Sequence, residues 1–117
     1  MRIVIGGCRD FNDEALFSQQ VSRILASYPL SETVFLSGHC SGADELAERY
    51  ASEHGIQTEL YPADWQRYGR AAGPIRNEQM VMQADCVIAF WDGKSTGTKN
   101  IIECAEAENI PCTVIKV

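Results

Sequence analysis

Residues 2–11 read Arg-Ile-Val-Ile-Gly-Gly-Cys-Arg-Asp-Phe, and this stretch decides the fold. Arg2–Gly6 is a short apolar run without helical spacing, so it reads as a strand buried on both faces. The glycines that end it, Gly6 and Gly7, let the backbone come close to a ligand or a neighbouring segment. Four later stretches are also candidate strands: Thr33–Ser37, Gln57–Tyr61, Asp85–Phe90 and Cys112–Lys116; three of the five are near-continuous apolar runs.

Helical patterns fall between the runs. From about Glu14 to Tyr28, residues Phe17, Val21, Ile24, Leu25 and Tyr28 share one face. A second helix starts near Gly42, with Leu46, Ala47, Tyr50 and Ala51 inward and Asp44, Glu45, Glu48 and Glu53 outward. Ser41 and Asp44 have capping-box spacing at its start. A third follows Pro74, a good first-turn residue, and a fourth runs from about Thr98 to Asn109. Strand–helix alternation implies α/β architecture with right-handed crossovers. The expectation is a Rossmann-like, doubly wound parallel sheet of five strands, ordered 3-2-1-4-5, with helices on both faces. Its ligand crevice would open beyond the ends of strands one and four.

At 117 residues the chain is one domain spanning 1–117. Ten Lys and Arg against sixteen Asp and Glu give a net charge of −6, which argues against generic nucleic-acid or anionic-membrane binding. Residues 61–100 depart from that balance, with five basic residues and four acidic ones, or +1. The five cysteines form no C-x-x-C and no zinc spacing. A reducing cytoplasm is the expected setting, with no membrane span and no metal.

Four loops carry the candidate chemistry. In the first, Gly7 and Arg9 could meet a phosphate, or Arg9 could simply pair with Asp10. The second, Gly38-His39-Cys40-Ser41-Gly42, has the spacing of a nucleophile elbow with cysteine at its centre. Hydrolases with that elbow are much longer, and no later acid and histidine follow in order. An anion held at the helix start fits better, with plain capping by Ser41 as the alternative. The third, Tyr61–Asn77, reads as a long loop with Trp65 and Tyr68 for stacking and Arg67, Arg70 and Arg76 as phosphate forks. A subunit interface would use the same residues. The fourth is Trp91–Thr98. Its Gly93-Lys94-Ser95 is not a P-loop, because Ile88 occupies the position of the first glycine. It remains a hydroxyl-rich turn able to cradle one phosphate before a helix.

Taken together, four motifs resemble the small YspA-like, cpYpsA-related proteins of the SLOG superfamily. They are Gly-x-Arg-Asp-Phe (Gly7, Arg9, Asp10, Phe11), Gly-x-x-x-Gly-Ala-Asp (Gly38 to Asp44, with Gly42), Asp-Trp-x-x-Tyr-Gly-x-x-Ala-Gly-x-x-Arg-Asn (Asp64 to Asn77) and Gly-Lys-Ser-x-Gly-Thr (Gly93 to Thr98, with Lys94, Ser95 and Gly97). The resemblance implies binding of a nucleotide or nucleotide-derived ligand such as AMP, ADP-ribose or NAD, with no further cofactor required, and a homo-oligomer. Relatives in the superfamily include the LOG phosphoribohydrolases, whose Pro-Gly-Gly-x-Gly-Thr-x-x-Glu ends in a catalytic glutamate. Here Gly97 and Thr98 match, but Ile101 stands at the glutamate position, and Ile can neither move a proton nor stabilise an oxocarbenium centre. Glu103 lies about 200° further round the helix. Cleavage of an N-glycosidic bond would therefore have to use Asp10, Asp92 or Glu103. The DprA recombination mediators, also in the superfamily, raise single-strand nucleic-acid binding, but a local +1 is small for a long backbone track.

Overall fold

The computed structural model describes all 117 residues. Its strands are β1 (Arg2–Gly7), β2 (Val34–Ser37), β3 (Gln57–Leu60), β4 (Cys86–Trp91) and β5 (Cys112–Lys116). They form one sheet in the order β3-β2-β1-β4-β5, and every neighbouring pair is parallel. The helices are α1 (Glu14–Leu25), α2 (Ala43–His54), α3 (Trp65–Tyr68), α4 (Ala72–Met82) and α5 (Thr96–Ala107).

The three central strands β1, β2 and β4 are apolar because both of their faces are covered, while the edge strands β3 and β5 are partly exposed. Ile3, Ile5, Phe35, Ile88 and Phe90 point to the side of α1 and α2, where they meet Phe17, Val21 and Tyr50. Val4, Leu36 and Val87, one residue out of phase, meet Met80, Val81, Ile101 and Ala105 of α4 and α5. This two-sided burial fixes register, since a slip of one residue would exchange the two cores.

Five local expectations differ from what is observed. Helix α1 ends at Leu25, and Tyr28 is exposed. Tyr28 precedes Pro29, whose ring disfavours helical backbone one residue earlier. Helix α2 has no capping box: Gly42 is the N-cap, at φ 78° and ψ −124°, without a side-chain cap. Asp44 is buried rather than outward. Helix α5 begins at Thr96, two residues early, capped by the Ser95 hydroxyl. Finally, Tyr61–Asn77 is mostly helical: Asp64 caps α3, a 3-10 turn spans Gly69–Ala71, and α4 follows.

Candidate functional site

Beyond the C-terminal ends of β1, β2 and β4 lies a cavity of about 960 Å³. The loops after those strands form one side, and α3, α4 and the start of α5 form the other. Close backbone packing sets its floor. A Cβ on Gly7 would lie 2.5 Å from the Phe90 carbonyl oxygen, and one on Gly42 would lie 2.2 Å from that of Cys8. Cys8 ties two loops together: its N–H donates to the Phe90 carbonyl at 3.1 Å, and its Sγ accepts from the Asp92 N–H at 3.3 Å. Burial pushes the Cys8 thiol pKa up. Nothing in the sequence beyond its place after Gly-Gly marks this role.

Arg76, from α4, is the buried cation of the site at 8% exposure. Its Nε donates to Asn77 Oδ1 at 2.9 Å, and its Nη1 to the Gly38 carbonyl at 2.7 Å and the Tyr61 carbonyl at 3.3 Å. Nη2 has only the Cys40 sulfur, at 3.8 Å. No carboxylate oxygen lies within 4.0 Å of this guanidinium. Gly38 leaves room for it, because a Cβ there would come within 2.6 Å of Nη1 and the guanidinium would have to shift.

Asp44 faces the same cavity from the first turn of α2. Its Oδ2 accepts from the Cys40 N–H at 3.1 Å. Burial raises its carboxyl pKa to about 6, against the opposing pull of that hydrogen bond and of the Arg76 charge. Asp44 therefore feels Arg76 without forming a contact ion pair with it.

The Trp91–Thr98 turn is organised by Asp92, whose Oδ1 accepts from both the Lys94 and Ser95 N–H groups at 2.8 Å. Those two bonds hold the Asp92 carboxyl pKa below its usual value. The Trp91 indole donates to the Ser95 carbonyl at 3.1 Å. The Ser95 hydroxyl takes the Thr98 N–H at 3.4 Å, while the N–H groups of Thr96 and Gly97 make no hydrogen bond within the protein. A Cβ on Gly97 would meet nothing within 4 Å, so the helix start is open to the cavity.

The cavity thus gathers Gly7, Arg9, Asp10, Gly38, Asp44, Trp65, Arg70, Arg76 and Asn77. From the fourth loop it adds Asp92, Lys94, Ser95, Gly97 and Thr98, with exposed Glu103 at its edge. The place of Glu103 differs from the helical-wheel expectation, which turned it away. Other candidates fall elsewhere. Ser41 and Gly42 line a separate hollow of about 310 Å³ with Arg49 and Glu45. Tyr68 lies outside the cavity with the Arg67 guanidinium 5.1 Å over its ring. Gly93, at φ 82°, shapes the turn without lining the cavity. Asn77 is spent internally, its Nδ2 donating to Asn100 Oδ1 at 2.9 Å while Oδ1 holds Arg76. The elbow reading of Cys40 is not supported by geometry. The left-handed residue is His39, at φ 58°, and its ring is bonded to Glu48 at 3.0 Å.

The family model for the YspA, cpYpsA-related SLOG proteins matches residues 1–68. The chain belongs to this SLOG family. The Gene 61 protein of Mycobacterium phage D29 is 33% identical over 116 residues, covering 94% of this chain and 92% of that one. Two solved structures share the fold at 18% identity. DprA, DNA processing protein A of Streptococcus pneumoniae, has a TM-score of 0.76 and is matched over 99% of this chain. The protein TM1055 has a TM-score of 0.68 over 95%. This SLOG chain spans 50% of the DprA chain and 71% of TM1055. The family match ends before Arg76 and the Gly93–Thr98 turn, so the first two loops lie inside it and the last lies outside. No helix of this SLOG chain is long and apolar enough to cross a membrane.

Proposed function

We propose that the cavity binds a small phosphorylated, nucleotide-like ligand. The observation that carries this is Arg76: a buried guanidinium without a contact carboxylate is costly unless an anion completes it. The free N–H groups of Thr96 and Gly97 at the start of α5 add the positive end of a helix dipole. Arg9, Arg70, Lys94 and Lys99 bring further positive charge to the wall, and Trp65, 52% exposed, offers a face for a base. With Asp10, Asp44, Asp92 and Glu103 set against five cations, the wall is formally +1. That suits one or two phosphates rather than a polymer.

The test is a thermal-shift panel of AMP, ADP-ribose and NAD against the purified chain. A ligand at one hundred times its Kd adds about 2.7 kcal/mol of stability, a rise of several degrees in Tm for a domain of this size. A flat response across the panel overturns the reading. Native mass spectrometry of the fresh protein reports retained ligand and oligomer size together.

One observation favours a second reading, hydrolysis of an N-glycosidic bond. A Cβ on Gly6 would meet Ile101 Cδ1 at 2.9 Å and Asp44 Oδ1 at 3.8 Å. The Asp44 carboxyl and the residue standing at the glutamate position thus both flank Gly6, and that carboxyl has a pKa of about 6, suited to proton transfer near neutrality. Chromatography for free base released from nucleoside monophosphates, with Asp44→Asn as control, decides it. No release at high protein concentration removes this reading.

A further inference from the structure

The loop after β2 brings one thiol to the cavity wall beside a cation. Cys40 Sγ lies 3.8 Å from both Nη1 and Nη2 of Arg76. Arg76 is 8% exposed, and its Nη2 has no oxygen acceptor in the protein. The Cys40 backbone is anchored, and its thiol donates to the Gly38 carbonyl at 3.7 Å. The Cys40 N–H donates to Asp44 Oδ2, and the left-handed turn at His39 sends the imidazole away, onto Glu48. The remaining cysteines differ in setting. Cys8 is buried and serves as a tie between loops. Cys86, Cys104 and Cys112 lie outside the cavity. Burial raises the thiol pKa of all four.

We propose that Cys40 is a thiol–disulfide exchange site selective for small disulfides that carry an acidic group. In the exchange, the Cys40 sulfur gives up its proton to solvent and attacks one sulfur of the reagent. A new S–S bond forms as the reagent's own S–S bond breaks, and the second half departs as a thiolate. Cys40 is oxidised and the departing half is reduced, so no other oxidant is needed. The acidic group of the half that stays rests against Nη2 of Arg76, as a charge-assisted hydrogen bond. A cavity of about 960 Å³ has room for such an adduct. The inference goes beyond ligand binding and does not depend on which nucleotide, if any, the cavity holds.

The experiment compares two chromogenic disulfides on the reduced 117-residue chain: dithiobis(nitrobenzoate), which is dianionic, and dithiodipyridine, which is neutral. Each rate is normalised to the same reagent's rate with a small free thiol. The expected result is a first adduct mapped to Cys40 by peptide mass spectrometry, and a normalised preference for the anionic reagent of about tenfold or more, the lower end of electrostatic steering. Added salt should erode that preference. Cys40→Ser should remove the fast phase. Arg76→Gln should slow only the anionic reagent, and Arg76→Lys should restore part of the difference. A fast phase that survives Cys40→Ser overturns the proposal. So does a normalised ratio near one in the unaltered protein, a reading that holds even if the arginine variants fail to fold.

Discussion

Asn77 holds Arg76 from behind: its Oδ1 accepts the Arg76 Nε–H at 2.9 Å while its Nδ2 donates to Asn100 Oδ1 at 2.9 Å. One amide thus aims the guanidinium at the cavity and pins α4 to α5. Asn77→Ala removes both bonds and leaves a buried Nε–H without a partner. The expected cost is about 1–3 kcal/mol, read from urea unfolding, together with weaker nucleotide binding. A variant as stable as the parent would show that Arg76 is positioned by its two carbonyl contacts alone.

Gly42 and Gly55 both have positive φ, at 78° and 68°, but their surroundings differ. A Cβ on Gly42 would collide with the Cys8 carbonyl, whereas one on Gly55 meets nothing within 4 Å. Gly55→Ala should cost about 1 kcal/mol, the penalty of left-handed backbone alone. Gly42→Ala should cost about 3 kcal/mol or more, since it adds steric displacement of the floor of the cavity. Equal denaturation midpoints for the two variants would contradict this account.

Asp44 makes stability depend on pH. Its folded pKa of about 6 lies above the ordinary 3.8, so the native state holds this proton more tightly than the unfolded chain. Between those values stability falls as pH rises, and above about 6 the full penalty applies, an upper bound of ~3 kcal/mol. Asp44→Asn should therefore gain on the parent at pH 7, with the gain shrinking toward pH 4. Denaturant melts of the pair at several pH values read this difference directly. A difference independent of pH would mean the carboxyl is not perturbed in the folded state.

Lys94 and Arg70 are exposed on the cavity wall, and neither side chain makes a hydrogen bond or ion pair within the protein. Replacing either by Ala should leave unfolding unchanged and weaken nucleotide affinity by about tenfold, or ~1.4 kcal/mol. The loss should shrink as salt is added. Calorimetry at two ionic strengths checks both statements, and unchanged affinity in the double variant would move the phosphate away from this wall.

The sheet order was legible because strands covered on two faces must be continuously apolar, as Arg2–Gly7 and Cys86–Trp91 are. The place of the cavity followed from topology. Helix α3 was not legible, since four residues carry no periodicity, although Asp64 followed by Arg67 is a readable cap whose side chain takes the Arg67 N–H at 3.1 Å. Asp44 misled for a physical reason. Its spacing from Ser41 fits a capping box, but the carboxylate is drawn inward to the Cys40 N–H, a contact that exists only once the loop has folded. The internal use of Asn77 was hidden likewise, because its partner Asn100 is remote in sequence.

Of the two tryptophans in the chain, one lines this cavity and the other braces a residue that lines it. Trp65 forms part of its wall with half its surface in solvent, and the Trp91 indole braces the Ser95 carbonyl of the turn opposite. The ultraviolet emission of Trp65 is therefore a signal from the cavity wall, and that of Trp91 a signal from the turn that borders it. Occupancy or covalent loading of that space can be followed optically, without a label.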